Sequence, residues 1–384
     1  MKYFLSIARI LVGLLFIFSG LIKANDPLGL SYKMQEFFEV WGWYQLNSYT
    51  LFFSISMITL EILAGVAVLL GWKMDFFSWL LLLLIVFFTF LTGYALFSGK
   101  IRECGCFGDC IPLQANQSFF KDLLLLFLII IIFIFRRKIR PLIPLRFTLM
   151  TLFFTTILAF SLQWYVLEHL PVIDCLPFKV GNNIIENMKI PPGALPDSTV
   201  ITFEYEKSGK KVAFTSQNFP ADFNEKDYKF LRRFDKVVRK GTALPAIRDF
   251  SLTTASGNDT TQSVLNDTQY QFLVFTNGLK NGSEKWMTDF HALYVELQKE
   301  NIPVHFVTSN FQNTESWLRE QLGDVTLSIF TCDATAIKTA ARVNPTFYLL
   351  KEGRIMNKWS YADLVNAIRM VRSSELESPN NELP

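Results

Sequence analysis

The stretch "KIRECGCFGDCIPL", residues 100–113, holds Cys104, Cys106 and Cys110, in a chain with five cysteines in all. Thiols this close can form a disulfide, exchange with one, or bind a soft metal ion. A bond between Cys104 and Cys106 would close a small ring over Gly105. Strain in such a ring raises the reduction potential and makes the bond labile and oxidising. Gly105 and Gly108 give the backbone the freedom that the turn needs. Cys110 could then act as a resolving thiol. On the redox reading, Cys104, Cys106 and Cys110 are the candidate catalytic thiols. Two other readings stand beside it: a static structural disulfide, and a Cu(I) or Zn site. The metal reading is the weaker, because no histidine lies near in sequence, and no metal site is assigned.

These thiols sit between apolar runs. The chain has 384 residues, 51% of them hydrophobic and only 18% charged, against about a quarter charged in ordinary soluble proteins. The deficit lies in the first 170 residues. Five runs there approach or exceed the ~20 apolar residues that a membrane-spanning helix needs: 3–21, 51–70, 76–97, 119–135 and 147–167. The first could serve as a secretory signal, but no A-x-A-like cleavage site follows it and further spans do, so it is read as retained. Between runs four and five, "RRKIRPLIPLR" carries Arg136, Arg137, Lys138, Arg140 and Arg146 without an acid. Basic loops stay cytoplasmic. Counting helices from there sends the 25–50 loop, the cysteine loop and everything after run five to the other side, the periplasm of a two-membrane bacterium, where disulfides persist. The expectation is a bacterial inner-membrane, multi-pass protein with its C-terminal part periplasmic. Cys175, just beyond run five, should reach the same surface and is a candidate disulfide partner.

Other residues invite a chemical reading. Glu61 falls midway along run two, and an ionisable group inside a membrane is costly and usually faces a partner or a cavity. Lys23, at the end of run one, is the candidate partner for an intramembrane polar pair, although interface snorkelling is the ordinary account of such a lysine. A quinone or proton site near Glu61 is one reading and a structural hydrogen bond the other. The 25–50 loop, with "YKMQEFFEVWGWYQL", reads as a short amphipathic helix on the membrane surface. Trp41 and Trp43 there suit interfacial anchoring or the lining of such a site. His169, His291 and His305 are scattered and form no catalytic group.

From residue 172 the texture becomes that of a soluble protein. "DSTVITFEYEKSGKKVAFTSQNF" alternates around a Ser-Gly turn and predicts a β-hairpin. From residue 241 the order is a buried strand "YQFLVFT", a helix "SEKWMTDFHALYVELQKE", a strand "IPVHFVTS", a helix "TESWLREQLG", a hairpin "NPTFYLLKEGRIMNKWS" and a helix "ADLVNAIRMVRSS". That order resembles the thioredoxin-like fold. "Asn344-Pro345-Thr346" resembles its cis-proline turn, which makes Pro345 a candidate peptide-binding edge. Redox-active members of that fold carry Cys-x-x-Cys at the helix start after the first core strand, where the helix dipole lowers the thiol pKa. This chain has "FTNGLKNGSEKWM" there, with no cysteine. Cys332, in "LSIFTC", reads as a buried, inert thiol.

"FSGLIKANDPLG", "LEILAGVAVLLG" and "ECGCFGD" together resemble the DoxX/MauE membrane family, and "LPVIDCLPFKVGNNI" and "AIKTAARVNPTFYLLKEGRIMNKW" resemble DoxX-type proteins of Bacteroidetes-type bacteria that carry a thioredoxin-like extension. The resemblance implies a four-helix transmembrane domain over 1–140, a fifth transmembrane helix over 141–170, a small β-containing linker region over 171–240, and a periplasmic α/β thioredoxin-like domain lacking Cys-x-x-Cys over 241–384. MauE proteins are associated with maturation of methylamine dehydrogenase, an enzyme rich in periplasmic disulfides, and DoxX proteins are named for a terminal quinol oxidase subunit.

Three functions follow as expectations. The first is thiol–disulfide exchange or maturation of exported proteins through the cysteine loop, acting on a periplasmic protein substrate or a thioredoxin-like partner. The second is a non-enzymatic envelope scaffold that uses a redox-inactive thioredoxin-like domain. The third is a quinone-linked respiratory subunit, for which quinone would be the cofactor. A net charge of +3 with no basic stripe argues against nucleic acid as a partner.

Overall fold

The computed structural model describes residues 2–98, 101, 105, 107–111, 113–194, 198–207, 210–215, 218–220, 223–224, 227–239, 244–279, 286–322 and 327–373. The N-terminal part is helical: α1 (Lys2–Ala24), α2 (Pro27–Trp41), α3 (Thr50–Leu70), α4 (Met74–Ser98), α5 (Ala115–Ile134) and α6 (Leu145–Glu168). Among the described residues, all but α2 are long and apolar enough to cross a bilayer, α3 being prolonged by a 3₁₀ turn over Tyr44–Tyr49. The chain is a multi-pass membrane protein. Its lipid-facing helices leave Leu14, Phe90, Phe127 and Phe154 exposed, which only a hydrocarbon surround makes favourable.

Lipid tails give apolar side chains no reason to prefer one another, so small residues set the helix contacts. Helix α1 packs on α3, α4 on α5, and α6 on α3. At the α1–α3 crossing a Cβ on Gly65 would stand 2.8 Å from the Gly13 carbonyl oxygen. Helix α2 is the short helix expected in the 25–50 loop. Asp26 caps it by accepting from the Gly29 N–H at 2.9 Å, Pro27 opens it, and Gly42, at φ 74°, ends it. It lies against α3 at the end of the bundle that carries the cysteine loop. The basic 136–146 segment lies at the opposite end, where Arg136 pairs with Asp75 at 3.0 Å and the Leu142 N–H donates to the Leu70 carbonyl at 2.9 Å.

The remainder is α/β. After the single-turn α7 (Ile184–Asn187) comes an antiparallel sheet of β1 (Ser198–Lys207), β2 (Lys210–Thr215) and β3 (Tyr228–Arg239), in the order β2-β1-β3. The β1–β2 pair is the expected hairpin; β3 is an addition to it. Then follow α8 (Thr261–Leu265), β4 (Tyr270–Thr276), α9 (Met287–Lys299), β5 (Val304–Thr308), α10 (Phe311–Leu322), β6 (Ser328–Thr331), α11 (Ala334–Ala340), β7 (Thr346–Lys351), β8 (Arg354–Ser360) and α12 (Leu364–Ser373).

The second sheet runs β6-β5-β4-β7-β8, with β4, β5 and β6 parallel and β7 and β8 antiparallel. Side chains alternate across it with period two. Phe272 and Val274 face α9, α10 and α12 together with Phe347 and Trp359. Leu273 and Phe275 face the other layer, where α11 packs with Phe178, Ile184 and Phe250. Both faces are covered, so β4 reads as an unbroken apolar run rather than an alternation. The Asn344–Pro345 bond is cis. This strand order, with a cis-proline ahead of the antiparallel hairpin, is the thioredoxin-like fold.

Candidate functional site

Cys110 and Cys175 are joined, with an S–S distance of 1.97 Å. The bond ties the cysteine loop between α4 and α5 to the connection that leaves α6, and both residues are half-buried. Gly105 and Gly108 adopt left-handed φ values of 64° and 57°, the conformations that glycine supplies without steric penalty. Cys104 and Cys106 lie outside the described residues.

Two aspartates flank this junction, and the thioredoxin-like domain holds both. Asp109, next to Cys110, accepts from Arg342 Nη2 at 2.6 Å. Asp174, next to Cys175, accepts from Lys358 Nζ at 3.0 Å. The Arg342 Nε also donates to Asp26 Oδ2 at 2.8 Å, and its guanidinium lies 5.5 Å from the Tyr32 ring. Lys338, one turn back on α11, reaches Gln35 of α2 at 3.2 Å. Asn25 closes the arrangement by exchanging hydrogen bonds with the backbone of Ile173, at 2.8 and 3.0 Å. Burial alone would lower the pKa of Arg342, but Asp26 and Asp109 outweigh it and leave it raised. Burial lowers that of Lys358, with Asp174 opposing the shift. Burial pushes the Tyr348 hydroxyl, whose ring Lys358 overlies at 5.3 Å, well above its ordinary value.

Beneath the loop, inside the bundle, Lys23 Nζ lies 3.0 and 2.7 Å from the two Glu61 carboxylate oxygens. Both side chains are almost wholly buried, so Lys23 pairs rather than snorkels. Its ammonium also lies 4.4 Å from the Phe88 ring. A second charged pair adjoins the first: Lys121 and Asp122 are 2.9 Å apart, and Asp122 accepts from Thr92 at 3.1 Å. Both pairs and Ser19 line one cavity of about 20 Å³, which Phe107 of the cysteine loop also lines. Lys121 lies 4.5 Å from the Phe107 ring. That volume holds about one water, whereas benzene occupies an engineered cavity of about 150 Å³. A ring would enter only after Phe107 or Phe88 moved.

Other expected residues fall elsewhere. Trp41 packs edge-on or tilted against Tyr94, Trp43, Phe90 and Phe37 in an aromatic group away from this cavity. Pro345 is buried. Its neighbour Asn344 fills the corner at the end of β4, accepting from Thr276 Oγ1 at 2.9 Å and the Asn277 N–H at 3.1 Å and donating to the Gly278 carbonyl at 3.1 Å. Cys332 is buried just past β6, and burial pushes its thiol up to about 11. His169 sits at the end of α6, stacked on Tyr165 and 3.0 Å from both oxygens of Asp363. His291 is exposed on α9, and His305 is on β5. Sequence reasoning missed Asp109, Asp174, Arg342, Lys358, Lys121 and Asp122. The repeated Asp-Cys dipeptide at 109–110 and 174–175 was the available signal.

Residues 1–136 match the family model "Methylamine utilisation protein MauE". The membrane domain is thus similar to that family over α1 to α5. Residues 199–240, which span all but the first residue of the three-stranded sheet, match a domain of unknown function (DUF8463). No match was found among curated proteins. Among solved structures the chain is similar to the bacterioferritin comigratory protein of Xanthomonas campestris, at 15% identity and a TM-score of 0.26, over 34% of this chain and 94% of that one. That protein is described through its alkyl peroxide reduction activity.

Proposed function

We propose that this MauE-type protein carries out thiol–disulfide exchange on exported proteins at its cysteine loop, on the periplasmic face of a bacterial inner membrane. The Cys110–Cys175 disulfide, half-buried at the mouth of the bundle, carries the reading. A thiolate of the substrate attacks one sulfur, forms a mixed disulfide and releases the other sulfur as a thiolate. The second substrate thiolate then attacks the substrate sulfur of that mixed disulfide and releases the protein cysteine as a thiolate. The substrate loses two electrons and gains a disulfide, and Cys110 and Cys175 become thiols. Cys104 and Cys106, in the same loop, are the candidate pair for reoxidising them. The basic 136–146 segment at the far end of the bundle supports the orientation.

The test is maleimide trapping in whole cells. Cys110→Ser or Cys175→Ser should accumulate a mixed disulfide with an exported protein. Cysteines held in one state, with no mixed disulfide in either variant, would sink the proposal, and so would a reporter fused after residue 240 that is active only in the cytosol.

The lack of Cys-x-x-Cys after β4 supports a second reading, a scaffold whose thioredoxin-like domain binds partners without exchange. Crosslinking of the full chain to one stable partner, undisturbed by loss of Cys110, would select it. Quinone linkage draws on the Lys23–Glu61 and Lys121–Asp122 pairs, which line a single cavity. Purified protein free of quinone would count against it.

A further inference from the structure

Each cysteine of the disulfide follows an aspartate, and a cation of the thioredoxin-like domain grips each aspartate. The cations come from separate elements: Arg342 from the turn after α11 and Lys358 from β8. Their side chains are 5% and 1% exposed. Burying a charge costs several kcal/mol unless partners compensate, so this fold accepts two such burials at one edge, the edge against the cysteines. The partners lie 233 and 184 residues away in sequence. A domain that needed only to rest on the bundle could do so with half-buried pairs that bury no charge fully, such as Lys338 and Gln35.

We propose that Arg342 and Lys358 are positioning residues for the Cys110–Cys175 couple: a domain with no Cys-x-x-Cys of its own clamps the thiol pair of the membrane domain. The proposal deepens the exchange reading and depends on it for its biological meaning. When the disulfide is reduced, the two thiols belong to separate segments, one in the loop between α4 and α5 and one in the connection after α6. The clamped aspartates keep those segments adjacent. One thiol then stays at high effective concentration near the other, which favours the disulfide over the dithiol. A cation near a thiolate acts the other way, because it stabilises the reduced form. Here the positive charges are already engaged by Asp26, Asp109 and Asp174, so the clamp dominates. Loss of either grip should make the couple easier to reduce.

The experiment uses full-length protein in nanodiscs, with Cys104, Cys106 and Cys332 changed to serine so that only Cys110 and Cys175 report. The protein is equilibrated with mixtures of reduced and oxidised dithiothreitol. Each dithiothreitol oxidised to its cyclic disulfide passes two electrons and two protons to the pair. Free thiol is then read by maleimide gel shift. Arg342→Gln and Lys358→Gln should each shift the equilibrium about tenfold toward the dithiol, or about 30 mV for a two-electron couple. Asp109→Asn should shift it in the same direction by less, and Arg342→Lys should recover part of the loss. Lys338→Ala, at the same interface, should leave it unchanged. A folded Arg342→Gln protein whose equilibrium stays within twofold of the parent overturns the proposal. If that variant does not fold, Asp109→Asn decides in the same way. The titration gives its answer with a small dithiol even if no exported substrate is ever trapped, so its failure and that of the exchange reading are separate results.

Discussion

Two buried ionic groups lie at successive depths of this molecule. The Lys23–Glu61 pair is enclosed by bundle helices, with side chains 1% and 3% exposed. The Arg342 and Lys358 groups are buried on the cation side alone, while Asp109 and Asp174 keep 29% and 21% of their surface. The difference lies in how water can respond. If the inner pair loses a partner, the survivor stays enclosed in the bundle, beside the Lys121–Asp122 pair and cut off from bulk water. If the outer group loses a cation, the aspartates turn to solvent. The inner pair is therefore a fixed element of the bundle, and the outer group can be broken and remade.

The comparison breaks most readily at Lys23→Met, which leaves Glu61 buried and unpaired. The expected loss is about 3–5 kcal/mol, read as resistance to unfolding in detergent, and Lys23→Met with Glu61→Leu should regain most of it. If the single and double variants unfold alike, the inner pair is not the fixed element described. Arg342→Ala should cost less, about 2–3 kcal/mol, because Asp26 and Asp109 can rehydrate. Limited proteolysis should then release the C-terminal half sooner than in the parent protein.

Cys332 sharpens the contrast from within the soluble core. Its thiol is raised from 9.0 to about 11, so the unfolded chain loses this proton first as pH rises. The contribution of Cys332 to stability is intact below pH 9 and falls by about 1.4 kcal/mol per pH unit from there to about 11. Comparing alkaline unfolding of the parent with Cys332→Ala measures it, and the native thiol should resist alkylation at pH 8. Lys338→Ala should be smallest, under about 1 kcal/mol, on the same proteolysis assay.

The bundle was legible because an apolar run of bilayer length has few other uses: residues 76–97 became α4 with only its ends adjusted. The β4 strand was equally plain, an apolar run packed on both faces. Strand β3 was not, because "YKFLRRFDKVVR" is interrupted by charge and depends on pairing with β1. Strand β6 spans only Ser328–Thr331, too short for a period to show. The Lys23–Glu61 pair could be anticipated because an acid within an apolar run demands a partner. Arg342 and Lys358 could not, because each is an ordinary basic residue until folding brings a distant aspartate to it. Pro345 shows a further limit: its turn was readable, but its burial depends on tertiary packing that no local pattern encodes.

Phe107 lies three positions before Cys110 in the same short turn, and its ring lines the chamber that holds the four intramembrane charges. The turn thus acts as a stopper, with a sulfur for its handle. The surface sulfur and one wall of that chamber therefore belong to the same short segment of chain.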